Sequence, residues 1–244
     1  MKNLSFLCFC FSLINSVNAQ EIVNLVLVGD NGITKDIKEA HSFIVVKKYP
    51  DSYQRLDYKI GAPLERLRSY SDSTLKVLQG NYYEYTADGR IAKSGFYQNN
   101  LKEDDWYHYN DTGKVILEEK YVNGVLIKTI NPDTIKKEER VDAIQAVDKE
   151  ATFGKGDRDW IKYLSKNLNA DLGSNSVNGG EVRVMFVVNK EGKCVDVHLK
   201  KSVEFILDEE VIRIIEKSPK WQPAIQNGRI ISAYRVQPIT FTKQ

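Results

Sequence analysis

The residues that could do chemistry are few, and their spacing does not assemble them. His41, His108 and His198 stand far apart, with no HExxH and no Cys/His pairing of the kind that holds zinc. Gly154-Lys155-Gly156 lacks the GxxxxGK[ST] spacing with which a loop cradles phosphates. Asp104-Asp105 and Glu209-Glu210 are adjacent pairs. Neighbours on a helix or strand point apart, so neither makes an acid/base couple. No serine occupies a GxSxG elbow. The expectation is a protein that is not an enzyme, with no metal and no cofactor. The 35 basic and 33 acidic residues leave a net charge of +2 and are interleaved along the chain. This excludes the concentrated positive footprint of a nucleic-acid binder.

The elements that remain must therefore build a binding or structural protein. The N-terminus reads as a secretory signal over residues 1–19. Lys2 supplies the positive region, Leu4 to Val17 is mostly apolar, and Val17-Asn18-Ala19 offers a small-x-small cleavage site, leaving Gln20 first in the mature chain. The apolar run is short of the roughly 20 residues a spanning helix needs, so cleavage leaves no stable membrane span. An uncleaved anchor is the alternative. Cys8 and Cys10 leave with the signal. Cys194 then stands alone, no intramolecular disulfide forms, and it reads as a small buried hydrophobe in a strand.

Residues 20–130 read as β-rich. Glu21 to Val28 and His41 to Lys47 alternate as strands. Tyr82-Tyr83-Glu84-Tyr85 through Asp88-Gly89 is echoed 24 residues later by Trp106-Tyr107-His108-Tyr109 through Thr112-Gly113, and Tyr58 to Tyr70 is a worn third copy. Each unit reads as a hairpin, with aromatics alternating along a half-buried strand and glycine at the turn. The copies resemble MORN-like variant repeats. Their rings either fill the sheet's own core or offer a platform for sugars or peptides. Asn131-Pro132-Asp133 breaks the pattern. Residues 131–146, with the charge run Lys136-Lys137-Glu138-Glu139-Arg140, read as a linker.

Residues 147–244 predict an α+β sandwich of two helices on one face of an antiparallel sheet. Trp160, Ile161, Leu164 and Leu168 share one face of a first helix, which Asp157 or Asp159 starts. Val182, Val184, Phe186 and Val188 alternate in a strand. Gly192 lies in the hairpin connection, and Cys194 to Leu199 returns. Asp208 is the expected N-cap of a second helix, which Ser218-Pro219 stops. Trp221, between Pro219 and Pro223, is expected to pack the helix end onto the sheet. A final strand is expected over Ile230 to Phe241.

Gly180 to Val188 with Gly192, Leu207-Asp208-Glu209-Glu210, Ser218-Pro219-Lys220-Trp221-Gln222-Pro223-Ala224, and Pro238-Ile239-Thr240-Phe241 together resemble the TonB C-terminal domain family. The chain departs from the family pattern at Leu168-Asn169-Ala170-Asp171, where the family has an aromatic-proline pair. It also lacks a long proline-rich spacer, having six prolines in all. The resemblance implies a periplasmic protein-binding module of the Gram-negative envelope. Its partner would be an envelope protein such as the extended segment of an outer-membrane receptor, which adds as a strand to a sheet edge. The edge expected to receive it is Ala233, Tyr234, Arg235, Val236 and Gln237, since Pro238 beside them is tolerated at edges. A membrane-anchored transducer and an envelope carbohydrate- or peptide-binding protein are the alternatives.

Overall fold

The computed structural model describes residues 21–134 and 147–243. The signal segment and the Lys136–Arg140 charge run lie outside the described residues. The first part is a ten-stranded antiparallel sheet. Its strands are β1 (Glu21–Gly29), β2 (Gly32–Thr34), β3 (Ala40–Tyr49), β4 (Ser52–Lys59), β5 (Leu64–Tyr70), β6 (Leu78–Tyr85), β7 (Ile91–Gln98), β8 (Leu101–Tyr109), β9 (Val115–Val122) and β10 (Val125–Ile130). From β3 to β10 each strand pairs with its successor, while β1 lies between β3 and β2. The register sets Val45 opposite Leu56, Leu56 opposite Leu67, and Leu67 opposite Tyr83. Because strand side chains alternate, this row lies on one face and forms a buried stripe across four strands.

The second part is α+β, as the sequence predicts. The strand β11 (Thr152–Phe153) leads to the helices α1 (Asp157–Asn167) and α2 (Leu172–Asn175). The hairpin β12 (Gly180–Val188) and β13 (Cys194–Lys201) follows, then α3 (Phe205–Glu216). Two-residue β14 (Trp221–Gln222) pairs with β11, β15 (Ala224–Gln226) pairs with β16 (Arg229–Ile231), and β17 (Ala233–Phe241) closes the chain. Val182, Val184, Phe186 and Val188 of β12 are fully buried, together with Leu207, Val211, Ile214 and Ile215 of α3. Each apolar side chain removed from water here contributes about 1.5–3 kcal/mol.

Two expectations need correction. Helix α3 starts at Phe205, with Glu204 at its N-cap making no side-chain cap bond, so Asp208 is not the cap. Asp208 lies inside the first turn, where its carboxylate accepts from Tyr58, Ser202 and Val203 instead of capping the helix. The last strand is also not continuous from Ile230. It breaks at Ser232, with β16 turning back on β15 through Asn227-Gly228 while β17 pairs with β12.

One apolar core runs from the ten-stranded sheet into the C-terminal part, joining Val45, Leu56 and Leu64 to Leu207, Ile214 and Phe186. Phe205 packs edge-on against Phe43 and Tyr58, each at 5.4 Å between ring centroids. Lys47, 1% exposed, pairs with Glu209. Tyr58 Oη and Ser202 Oγ donate to Asp208 Oδ2, and the Val203 N–H donates to Oδ1. The sheet thus covers the side of α3 that the smaller sheet leaves open.

The two repeat copies diverge in what their turns touch. At Gly89 (φ 82°) a Cβ would lie 2.0 Å from the Ser202 carbonyl oxygen, and the Ser202 N–H donates to the Gly89 carbonyl at 2.8 Å. At Gly113 (φ 79°) a Cβ would meet nothing within 4 Å. Gly113→Ala is therefore expected to cost only the positive-φ strain, about 1 kcal/mol. Gly89→Ala adds a backbone clash, and its loss should exceed that of Gly113→Ala by about 1–3 kcal/mol in urea unfolding. Equal losses would mean that the Gly89 turn does not dock.

Candidate partner-binding edge

The three-stranded sheet runs in the order β13-β12-β17 and so has two edges. One is closed. At β13, Arg90 forms a backbone bridge with Lys201, and Tyr85 Oη donates to the Leu199 carbonyl at 2.8 Å. The Tyr83 ring stacks on His198 at 4.8 Å, and Asn81 Nδ2 donates to Asp196 Oδ1 at 2.9 Å. The ten-stranded sheet therefore occupies that side. The other edge, β17, pairs among the described residues with β12 alone, from Ala233 opposite Val188 to Phe241 opposite Gly180.

The sequence of β17 fixes which groups point outward. Ile239 and Phe241 are buried toward the helices, while Tyr234 and Val236 are exposed on the opposite face, at 67% and 38%. Pro238 has no N–H to give β12, and it fits the ladder where its position faces away from that strand. In an antiparallel strand N–H and C=O of one residue point to the same side and alternate. In that phase Tyr234, Val236 and Thr240 aim their backbone groups at the open edge. Arg235 points the other way and pairs with Glu150, which ties the segment before β11 to the strand. Tyr234 also lies near the phenols of Tyr83 and Tyr107. Burial is the first cause that raises the pKa values of both, and nearby carboxylates and phenols raise them further.

The other residues singled out in the sequence hold this edge in place. Gly180 opens β12 against Phe241. Gly192 (φ 79°) turns the β12–β13 hairpin beneath Trp221, where a Cβ would lie 2.2 Å from the Trp221 carbonyl oxygen. Trp221 is 3% exposed and packs against Phe153, Trp160 and Phe186. Pro219 is exposed just after α3, and Pro223 separates β14 from β15. Burial pushes the Cys194 thiol up to about 11, in keeping with a packed side chain rather than a reactive one. Sequence reasoning missed Asn81, Tyr85, Arg90 and Glu150. Their roles depend on partners more than 80 residues away, and no local pattern signals them.

The aromatic cluster on the other face of the large sheet is internally saturated. Trp106 is 1% exposed and lies against Gly95, where a Cβ would fall 2.1 Å from the indole. Tyr82 and Tyr97 pack on it at 5.3 and 5.0 Å, and Lys102 Nζ stands 4.5 Å from its ring centroid. No indole face is left for a sugar to stack on. Among the described residues no cluster of metal-ligating side chains occurs, and no helix is long and apolar enough to cross a membrane.

Fold and edge together describe a small α+β domain whose three-stranded sheet leaves the β17 edge without a further strand among the described residues. Residues 176–242 match the family described as Gram-negative bacterial TonB protein C-terminal, so this segment carries a TonB C-terminal domain. That family is a non-catalytic protein-interaction domain of envelope-associated proteins, whose partners include outer-membrane receptors. The match spans a little over a quarter of the chain. No family match covers the repeat segment, where the structure shows consecutive hairpins. Comparison with curated proteins gives no match.

Proposed function

We propose that this chain is an exported, TonB-like binding module of the Gram-negative periplasm, which takes up an extended segment of an envelope protein by strand addition along β17. The observation that carries this reading is the asymmetry of the two edges. The chain's own large sheet closes β13 and leaves β17 with unpaired backbone groups in register. Ala233 to Gln237 form the contact strip. The division into a repeat-bearing part over 20–130, a connecting segment over 131–146 and the module from 147 onward belongs to the same reading. Cleavage at Ala19 makes the protein a periplasmic accessory rather than a membrane-anchored transducer.

A photo-reactive phenylalanine at position 234, introduced in intact cells, should cross-link to an envelope protein through an extended segment. Val236→Pro removes an outward N–H without breaking the ladder to β12, and it should lower that cross-link about tenfold, the equivalent of one charge-free hydrogen bond and its register. Cross-linking that Val236→Pro leaves unchanged would sink strand addition. The mature N-terminus decides the anchoring. Gln20 in the soluble periplasm supports the accessory role, and Met1 in the inner membrane supports the transducer.

A further inference from the structure

The face of the large sheet turned away from α3 carries a concentration of arginine that the edge-strand reading does not use. Strand β4 supplies Arg55 and Asp57, and β5 supplies Arg66 and Arg68. The register places Arg55 directly opposite Arg68, two like charges on neighbouring strands, an arrangement that is unfavourable unless something neutralises it. Asp57 does so in part. Its Oδ1 accepts from Arg55 Nε at 2.9 Å, with Arg55 Nη2 ion-paired to it at the same distance, and its Oδ2 accepts from Arg68 Nη2. With both oxygens engaged, Asp57 has little left for Arg66, which stands opposite it on β5. Arg66 has only Glu84 on its other side, at 3.7 Å, beyond hydrogen-bonding distance, and Glu84 already accepts from Tyr82 Oη.

Three guanidinium groups thus face two carboxylates. The Nε groups of Arg66 and Arg68 are buried without a hydrogen-bond partner among the described residues. A buried donor left unpaired costs about 1–3 kcal/mol, and two of them side by side mark this arginine pair as short of acceptors. These groups line a cleft of about 250 Å³. Its other wall is apolar, formed by Val28 of β1 and Ile44 of β3, with Ser42 at the same end. Lys59 and Glu65, paired at 2.6 Å, neutralise each other at the rim and leave the interior cationic.

We propose that this cleft binds an oxyanion, a phosphate or carboxylate group, joined to a short apolar body. The oxyanion bridges the guanidinium groups of Arg66 and Arg68, and the apolar part lies on Val28 and Ile44. Guanidinium groups suit this because their planar donor fork matches the geometry of both anions. The ligand is either a free small molecule or the headgroup region of a lipid, and the chemistry is the same for both.

Hexyl phosphate and inorganic phosphate are the probes, titrated calorimetrically into the mature chain at low ionic strength. Vesicles containing phosphatidylglycerol form a separate flotation assay. Hexyl phosphate should bind about tenfold or more tighter than inorganic phosphate, through its apolar chain. Arg66→Gln is the informative variant, because it leaves all the bonds of Asp57 intact. It should weaken hexyl phosphate about tenfold, as the loss of a charge-assisted hydrogen bond does, with an unchanged unfolding midpoint. Ile44→Ser should erase the preference for the hexyl chain and leave inorganic phosphate unaffected. Co-flotation with vesicles that Arg66→Gln abolishes assigns the lipid source. Hexyl phosphate binding without co-flotation assigns a free small molecule. No saturable binding of hexyl phosphate into the millimolar range, or equal binding by the wild type and Arg66→Gln, overturns the proposal. Because the cleft lies on the opposite side of the sheet from α3, its failure leaves the β17 reading standing.

Discussion

Trp221→Ala is expected to lower the stability of this protein by about 3–5 kcal/mol, the cost of truncating a wholly buried tryptophan. The indole is the hub of an aromatic cluster. Phe186 stands 5.1 Å from it, Trp160 5.4 Å and Phe153 5.5 Å between ring centroids, and these rings come from β12, α1 and β11. Its Nε1 donates to Ser218 Oγ at 3.0 Å, and its backbone N–H donates to the Gly192 carbonyl at 2.8 Å. Truncation leaves a cavity where three elements meet, and the rigid Gly192 turn below cannot collapse into it. Because β17 is held in register by β12, the same change should also loosen the β17 edge. Chemical unfolding followed by tryptophan-independent circular dichroism measures the loss. A change below about 1 kcal/mol would show that Trp221 is not the pin of the module.

Asp208→Ala is expected to cost at least about 3 kcal/mol, for a different reason. Three donors end on this carboxylate, from Tyr58, Ser202 and Val203. Each is left buried without an acceptor, at about 1–3 kcal/mol apiece. Asp208→Asn keeps the shape and one acceptor and should lose less. The two variants also separate in their pH dependence. Burial is the largest influence on Asp208. It pushes the carboxyl up to about 7 against the three bonds, which favour the anion, and nearby Glu209 adds to the rise. The folded state therefore holds this proton more tightly than the unfolded chain does. The stability that this group contributes is full below about pH 4 and is lost as pH rises through about 7, at roughly 1.4 kcal/mol for each pH step between those bounds. Burial raises Glu216 to about 7 in the same way, with Glu209 adding and Lys47 opposing. Urea midpoints measured from pH 5 to pH 8 should fall for the wild type and fall less steeply for Asp208→Asn. A wild-type midpoint that rises over this interval would show that Asp208 is ionised throughout.

Much of this architecture can be read in the sequence where local pattern and tertiary structure agree. The alternation of Val182, Val184, Phe186 and Val188 marks a strand because one face is buried. The 24-residue echo marks hairpins because its glycines fall at turns with positive φ. Pro238 points to the open edge for the reason that it is tolerated there. Other features could not be read. Asp208 looks like an N-cap in isolation, and its true position depends on Tyr58, 150 residues earlier. Lys47 lies in an apolar strand run and reads as its polar end, yet it is buried because Glu209 reaches it from α3. The closure of β13 by Tyr85 and Arg90 has no sequence signature. Two elements of separate local logic meet only once the chain is folded, and that meeting decides which edge stays open.

The shared core also dictates an order of events. The stripe Val45, Leu56, Leu67 and Tyr83 is complete long before its cover, since α3 ends at Glu216. A chain emerging from its N-terminus presents a finished sheet with one greasy side and the amine of Lys47 lacking its carboxylate. The contacts that close it span about 150 residues, the kind of pairing that forms slowly. Through that interval the sheet is the vulnerable species, prone to stick to other copies of itself. Folding of α3 and the strands around it is then the step that covers the greasy side of the large sheet, so a later segment of the chain acts as a chaperone built into the same polypeptide.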